Sequence, residues 1–408
     1  MQTLRGLPDV TPAGRATCGL ILMGGGARAA YQVGVLSGIF RALNPHGVAH
    51  FPNPFKIICG TSAGAINAAV MACRADQPQL GVDGLVRLWS SLQTGDVYRA
   101  DARGLMKTGL HWFAMLAAGW LLPGLRNRQP RSLLDNEPLG RLLASAIDLR
   151  RLELNLDAGH LHALAIMATS YTTGQHLVFY QSRHTIRPWL RSLRQAVPTF
   201  LGIDHLLASS AIPFVFPAQA LTVNGRRIWC GDGSMRQLAP ISPAVHLGAE
   251  KMVVIGTGFR DDIHPELQPS DPPYPSLAQI GGHALSNIFL DSLSVDVERM
   301  QRVNELLAQV PDNVLKSHSL RPLRTLVITP SRSLDEIALA YLQELPRAAR
   351  ILFRVLGVSP SSGPTTGGAL ISYLLFEASY TQALIQLGQA DCQSRIDEIN
   401  AFFKEASE

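Results

Sequence analysis

The chain has 408 residues, of which 47% are apolar and 16% are charged, and its formal net charge is +5. This is the composition of a globular protein, and the length allows two to three domains or one large α/β domain with additions. The mild charge, with no dense lysine and arginine run and no zinc-finger or recognition-helix pattern, argues against a nucleic-acid-binding protein. Five scattered cysteines, mostly within apolar runs, indicate buried thiols in a reducing compartment.

The first 16 residues are polar, contain two prolines and lack an apolar core of signal-peptide length. We predict a loose leader at residues 1–16 and a cytoplasmic protein. No Cys-x-x-Cys or His-Glu-x-x-His spacing and no calcium-ligand loop occurs in the sequence. We therefore predict no cofactor and no metal.

A glycine-rich loop follows the first predicted strand, residues 18–23, with the sequence Gly-Gly-Gly-Ala-Arg at 24–28 and a helical pattern after it. Such a loop leaves backbone N–H groups bare to bind an anion, either a phosphate or the oxyanion of an acyl-transfer intermediate. Residues 24–29 also match the dinucleotide fingerprint, which requires an acidic residue about 20 positions further on. No Asp or Glu lies between Asp9 and Asp76. The oxyanion interpretation is therefore favoured.

The second predicted strand, residues 56–59, runs into Gly-Thr-Ser-Ala-Gly at 60–64, and a buried helical pattern follows. Strand, sharp turn and helix form the context in which Gly-x-Ser-x-Gly is a nucleophile elbow. The glycines allow Ser62 to sit at the tip of a strained turn, and the helix N-terminus directs free N–H groups toward its oxygen. Taken alone, the motif also fits a tight strand–helix turn with a capping serine.

An apolar segment at residues 104–125 has cationic residues on both sides and is interrupted by Pro123. It is short for a membrane-spanning helix. Its two tryptophans and flanking charges suit a membrane-contact segment or a lid over an apolar site. A buried packing helix is the alternative.

The middle of the chain predicts two hairpins, at residues 161–181 with a Thr-Gly turn and around an Asn-Gly turn at 224–225. Between them stands Ala-Ser-Ser-Ala-Ile-Pro at 208–213. The second hairpin ends in Gly-Asp-Gly, where Asp232 alone would be a turn residue but beside an elbow serine is a candidate base. The pattern then predicts further strands at 251–257 and 325–330 and helices up to residue 403. The apolar tail, about residues 370–403, must pack on the core, line an acyl site or contact another subunit.

These motifs together resemble those of the patatin-like phospholipase family of plant storage proteins and bacterial lipid acyl hydrolases. The four motifs occur in the family's order at 24–28, 60–64, 208–213 and 232–233, and the resemblance covers about residues 18–257. Many members have Asp and Gly where this chain has Met23 and Ala29, but both positions are away from the reacting atoms.

The resemblance implies a three-layer α/β/α fold with a mainly parallel central sheet, here with a helical C-terminal extension. We expect a catalytic α/β domain over residues 17–330, with its motif core at 18–257. We expect residues 331–408 to form a helical region packed on this core.

The resemblance also implies hydrolysis of carboxylic esters of lipids, as in phospholipase A, lysophospholipase or esterase reactions, by a Ser–Asp dyad without a catalytic histidine. Ser62 would attack the ester carbonyl, and Asp232 would act as base through a direct hydrogen bond. Arg28 would fix the glycine-rich loop or bind a head-group phosphate. A peripheral membrane contact and a homo-oligomer are compatible with this function. The oxyanion would be held by backbone N–H groups of Gly24, Gly25, Gly26 and Ala27.

Two alternatives from other classes remain. An α/β-hydrolase esterase with a Ser-Asp-His triad would need a histidine after Asp232, such as His246 or His283, and that fold has more strands before its elbow. A non-catalytic lipid-binding scaffold is the second alternative, and the presence of both Ser62 and Asp232 argues against it.

Overall fold

The computed structural model describes residues 17–48, 50–99, 132–258, 274, 277–289, 291–315, 320–355, 358 and 368–404. The predicted leader at 1–16 and the apolar segment at 104–125 lie outside these residues. Among the helices within them, none has the length and apolar character needed to cross a membrane.

One ten-stranded sheet forms the centre of the described part of the chain. Its order is β10-β9-β1-β2-β3-β4-β6-β5, with β8 paired to β3 and β7 to β8. The five strands from β10 to β3 are parallel, so their carboxyl ends meet at one edge, called here the carboxyl edge. The strands are β1 (Cys18–Leu22), β2 (Ile57–Thr61), β3 (Ala163–Ser170), β4 (His176–Ser182), β5 (Leu190–Arg191), β6 (Arg194–Pro198), β7 (Gln219–Val223), β8 (Arg226–Asp232), β9 (Lys251–Ile255) and β10 (Arg324–Ile328).

Helices occur along the whole described chain, and short 3-10 turns precede or follow several of them, at Gly26–Ala29, Gly233–Arg236 and Leu342–Glu344. The α-helices are α1 (Ala30–Leu43), α2 (Ala63–Cys73), α3 (Pro78–Ser90), α4 (Thr94–Val97), α5 (Glu137–Ala146), α6 (Arg150–Asp157), α7 (Ile203–Ser209), α8 (Ser242–His246), α9 (Leu277–Phe289), α10 (Asp291–Leu307), α11 (Asp312–Leu315), α12 (Leu334–Ala340), α13 (Arg347–Val355), α14 (Gly368–Leu374), α15 (Ala378–Ser394) and α16 (Ile396–Lys404).

Two apolar cores lie on opposite faces of the sheet. Side chains alternate between the faces of a strand. Leu20 and Leu22 of β1 therefore join a core with α1, α2 and α15, whereas Ile21 joins a second core with α8 and Leu293 of α10. All five residues of β1 are buried, as expected for a parallel strand covered on both faces. Helix, sheet and helix layers with a mainly parallel sheet confirm the predicted fold class.

The C-terminal helices pack on the first core, one of the three outcomes predicted for the tail. Helix α15 packs very closely against α1. A Cβ added to Gly34 of α1 would lie only 2.1 Å from the backbone oxygen of Ile385. The buried hydroxyl of Tyr31 donates to Asp391 Oδ2 at 2.9 Å. Helices this close require glycine at the crossing. The division of the chain at residue 331 stays a prediction.

Candidate active site

Ser62 occupies the turn between β2 and α2, as the strand–turn–helix pattern predicts. Its backbone has φ 54° and ψ −131°, a conformation that costs a residue with a side chain about 1–3 kcal/mol. The neighbouring glycines make the turn possible. A Cβ on Gly60 would lie 2.5 Å from the oxygen of Gly64, and a Cβ on Gly64 would lie 2.4 Å from the oxygen of Leu22. Any larger residue at either position would force the helix away from the strands.

Asp232 ends β8, which pairs antiparallel with the end of β3 and so reaches the carboxyl edge beside Ser62. Ser62 Oγ donates to Asp232 Oδ2 at 2.6 Å, and the N–H of Ser234 donates to Oδ1 at 2.9 Å. Both side chains are buried. Burial raises the pKa of Asp232 to about 6, although the hydrogen bonds from Ser62 and Ser234 oppose the rise. The structure thus brings together two residues that the sequence analysis selected.

The Ala-Ser-Ser-Ala-Ile-Pro segment holds both of these residues in place. The N–H of Ser62 donates to Ser209 Oγ at 2.9 Å, and the N–H of Asp232 donates to the oxygen of Ala211 at 3.0 Å. Ser209 is completely buried. Sequence reasoning assigned no role to Ser209, because the partner of its hydroxyl is 147 positions away.

The glycine-rich loop leads from β1 into the 3-10 turn that continues as α1. The first N–H groups of a helix have no acceptor inside it, which leaves those of Gly26 and Ala27 available. Gly26 lines the same pocket as Ser62. Thr257 fixes the preceding residues, since its hydroxyl donates to the oxygen of Gly24 at 2.6 Å and leaves no room for a Cβ on Gly25. The oxyanion role of Gly24, Gly25, Gly26 and Ala27 stays a prediction.

Arg28 points away from the pocket and into the C-terminal helices. Its side chain is 2% exposed and its Nε donates to Ser372 Oγ at 2.8 Å. Its Nη2 forms an ion pair with Asp335, and the guanidinium lies 4.0 Å from the centre of the Tyr373 ring. Binding a head-group phosphate would require the guanidinium to leave all three partners. These contacts fit the first of the two predicted roles, fixing the loop. The substrate-binding role of Arg28 stays a prediction.

An apolar pocket opens beside Ser62. It is built from α2, α3, α5, the segment after α7 and the C-terminal region, where Phe376 stacks on Trp89 with ring centres 6.5 Å apart. Apolar clefts with few polar groups are the usual form of a small-ligand site. The pocket therefore places an apolar surface next to Ser62. Its apolar lining includes Ile66, Leu88, Trp89, Leu92, Leu143, Phe216 and Phe376.

Among the residues that the structure describes, no histidine hydrogen-bonds to Ser62 or Asp232. His246 stacks on Trp189 with ring centres 4.6 Å apart, and burial lowers its pKa to about 4. His205 accepts the N–H of Gly202 at the start of α7, and His283 is exposed. His176, which the sequence analysis did not consider as a base, contacts the backbone of Gly233, and burial lowers its pKa to about 4. These positions do not form a Ser-Asp-His triad.

A strained serine at a strand–helix turn of an α/β protein, hydrogen-bonded to a buried carboxylate, has the geometry of a nucleophile elbow. The chain belongs to the patatin-like phospholipase family, whose model matches residues 20–245. Among solved structures, the crystal structure of VipD from Legionella pneumophila is similar over 95% of this chain and 72% of that chain, with 13% identity and a TM-score of 0.33. The curated proteins contain no significant match. The family assignment supports lipid acyl hydrolysis in general.

Proposed function

We propose that this protein is a serine acyl hydrolase that cleaves carboxylic esters of lipids through a Ser62–Asp232 dyad. The observation that carries the proposal is the 2.6 Å hydrogen bond from Ser62 Oγ to Asp232 Oδ2 beside an apolar pocket. Because the carboxylate accepts directly from the hydroxyl, it can take the serine proton without a histidine between them. The buried position of Asp232 supports this role, since a pKa near 6 makes a carboxylate a better base than an exposed one.

In the acylation step, the ester's acyl chain lies in the apolar pocket and Ser62 Oγ attacks the carbonyl carbon. Asp232 takes the hydroxyl proton as the new C–O bond forms. The oxyanion is held by the N–H groups of Gly25 and Gly26, joined by Gly24 and Ala27, and losing one such donor typically costs about 3–4 kcal/mol. Asp232 then gives the proton to the leaving alkoxide, which leaves an acyl group on Ser62.

In the deacylation step, water replaces the leaving alcohol. Asp232 removes a proton from this water as its oxygen attacks the acyl carbonyl, and the same N–H groups hold the second oxyanion. Collapse of this intermediate breaks the bond to Ser62 Oγ, and the proton on Asp232 returns to the serine. The free fatty acid leaves and the starting hydrogen bond reforms.

Ser62→Ala tests the proposal with a soluble short-chain ester such as 4-nitrophenyl butyrate. We expect the wild type to hydrolyse the ester and Ser62→Ala to retain only background hydrolysis, while both unfold at similar temperatures. A Ser62→Ala protein with full activity would place the nucleophile elsewhere. A folded wild type without activity on any ester would favour the non-catalytic scaffold.

The pH dependence of kcat/KM reports the protonation of the base in the free enzyme. Asp232 must be ionised to accept the serine proton, and its pKa is raised to about 6. We therefore expect kcat/KM on the soluble ester to rise with pH, reach half its maximum near pH 6 and then remain level to pH 8. A half-maximum near pH 4 would mean that Asp232 is not the titrating base.

A further inference from the structure

We propose that the carboxyl edge of the sheet, where Ser62 lies, is a docking surface for a membrane that contains anionic lipids. The surface is built by the β5–β6 hairpin and the β7–β8 hairpin. Its arginines are Arg191, Arg194, Arg226 and Arg227, and its exposed apolar residues are Leu190, Leu193 and Trp229. This inference rests on the proposed function, because it names where the lipid ester comes from.

The β5–β6 hairpin turns at the same edge as Ser62. Thr61, next to Ser62, pairs with Met167 of β3. Two residues further on, Thr169 of β3 pairs with His176 at the start of β4, and His176 pairs with Arg194 at the start of β6. The N–H of His176 donates to the oxygen of Leu193 at 2.8 Å. The turn that contains Leu193 therefore lies at the same edge of the sheet as Ser62, and the ends of β3 and β4 lie between them.

The β7–β8 hairpin extends beyond the same edge. Strand β8 runs antiparallel to β3, pairing Asp232 with Ala168 and Cys230 with Ser170. Residues earlier in β8 therefore lie past the end of β3, and the oxygen of Trp229 accepts the N–H of Tyr171 at 2.8 Å. Arg226 and Arg227 come before Trp229 in β8, so they lie even further past the end of β3, next to the turn of the hairpin.

Large apolar side chains are exposed along this edge. The exposed fractions are 66% for Leu190, 52% for Leu193 and 43% for Trp229. Phe214, which stands between the pocket-lining residues Ile212 and Phe216, is 82% exposed. Leu193 and Phe214 also have positive φ angles, 57° and 65°, which bulky residues rarely adopt. Exposed apolar side chains that are grouped at one edge are typical of an interaction surface.

The charges beside these apolar side chains are positive. Within the described ranges, no carboxylate lies at ion-pair distance from Arg191, Arg194, Arg226 or Arg227. The sequence has no Asp or Glu from residue 158 to 203. Asp296 is close enough to Arg194 to be influenced by its charge, but the Asp296 carboxylate is largely buried and accepts the N–H of Ile241 at 3.0 Å.

Arginine mixed with leucine and tryptophan suits the boundary between head groups and acyl chains, where both anionic and apolar contacts are available. Arg227 illustrates the mixture, because its guanidinium lies 5.0 Å from the centre of the Trp229 ring. A nucleic acid would satisfy the arginines but would leave the leucines in water. The composition of the surface therefore favours an anionic membrane, and docking there would bring the lipids to the edge of the sheet where Ser62 lies.

The test is sedimentation of the full chain with vesicles of phosphatidylglycerol and phosphatidylcholine, compared with phosphatidylcholine alone. We expect at least about tenfold tighter binding to the anionic vesicles, since each arginine near an anionic surface contributes about fivefold. Arg191→Glu with Arg227→Glu is expected to remove this preference. Leu190→Asp is expected to weaken binding to both kinds of vesicle.

Matched controls exist at the opposite edge of the sheet. Arg41→Glu with Arg183→Glu makes the same change of charge at two exposed arginines there, near the end of α1 and just after the end of β4. Leu154→Asp matches Leu190→Asp because both leucines are 66% exposed. We expect these controls to bind vesicles like the wild type. Equal loss of binding in a control and its matched variant would show a general charge or stability effect and would overturn the surface assignment.

Three further outcomes separate this inference from the proposed function. A wild type that hydrolyses the soluble ester but does not bind anionic vesicles overturns the docking surface alone. A wild type that binds vesicles but never hydrolyses an ester leaves the surface standing and rejects the acyl hydrolase. Binding to a single-stranded oligonucleotide through Arg191 and Arg227, without binding to vesicles, would assign the surface to nucleic acid instead.

Discussion

Asp232→Asn is expected to lower kcat/KM on a soluble ester by about 10²–10⁴-fold, the usual contribution of a general base. The amide oxygen can still accept a hydrogen bond from Ser62, but the amide cannot take the serine proton. Its NH2 group would replace the oxygen that accepts the N–H of Ser234. Steady-state kinetics at pH 8 measure the loss, because the wild-type carboxylate is ionised there.

The same substitution should also change how the stability of the protein depends on pH. The pKa of Asp232 is raised by burial from 3.8 to about 6, so the native state binds more protons than the unfolded state between these values. Stability contributed by this group therefore falls as pH rises from about 4 to about 6 and stays low above it. We expect the stability of Asp232→Asn relative to the wild type, as free energy of unfolding, to be on the order of 2 kcal/mol greater at pH 8 than at pH 4.

Asp296→Asn is the matched control for Asp232→Asn. Asp296 is also largely buried with a raised pKa, but its carboxylate accepts a backbone N–H and has no contact with Ser62. We expect normal kcat/KM in this control. Full activity in Asp232→Asn, or equal losses in the two variants, would contradict the role of Asp232 as base.

Asp335→Ala is expected to lower the free energy of unfolding by about 3 kcal/mol, because it leaves the buried guanidinium of Arg28 without its carboxylate. It should also lower kcat by at least about tenfold, since a displaced loop N–H weakens oxyanion binding. Gly26 stands two residues before Arg28 and touches the backbone of Tyr373, so movement of Arg28 reaches the loop directly. Urea denaturation and kinetics on the soluble ester measure the two effects.

The Asp76–Arg151 pair gives a matched control for this prediction. Asp76 is 28% exposed and Asp335 is 25% exposed, but Asp76 joins α2 to α6 at the edge opposite Ser62. We expect Asp76→Ala to reduce stability less and to leave kcat unchanged. If Asp335→Ala lowered stability without lowering kcat, Arg28 would be a packing residue and would not position the loop.

The C-terminal region is closely involved in the site. Phe376 lines the pocket, Ser372 and Asp335 bind Arg28, and Tyr373 lies against Gly26. We therefore propose that residues 331–408 and the α/β part of the chain form one functional unit, in which the extension completes the site that the family motifs begin.

The sequence predicted the parts of the site that follow from local chemistry. Glycines stand two positions before and two positions after Ser62, and three more follow the first strand. Sharp turns and close contacts between backbone segments require glycine, so the spacing of these glycines could be interpreted directly. The pairing of Asp232 with Ser62 spans 170 positions and came from the order of family motifs. The apolar runs of β1 and β2 likewise predicted buried strands, whereas the mainly parallel sheet was implied by the family resemblance.

The remaining features depend on contacts between distant residues that no local pattern predicts. Arg28 and Asp335 are 307 positions apart, and neither has a sequence neighbour that would indicate the other. The β5–β6 hairpin lies in a stretch with Pro188 and Pro198 at its ends, where alternation is too short to predict a strand. Ser209 was visible within a motif, but its role required the position of the elbow in space.

Intact-mass analysis after treatment with a fluorophosphonate tests the central claim most directly, on the wild type, Ser62→Ala and Asp232→Asn. The account predicts one adduct on the wild type, no adduct on Ser62→Ala and slow formation on Asp232→Asn. An adduct that persists on Ser62→Ala, or none on a folded wild type even with anionic vesicles present, would contradict an activated serine at this site.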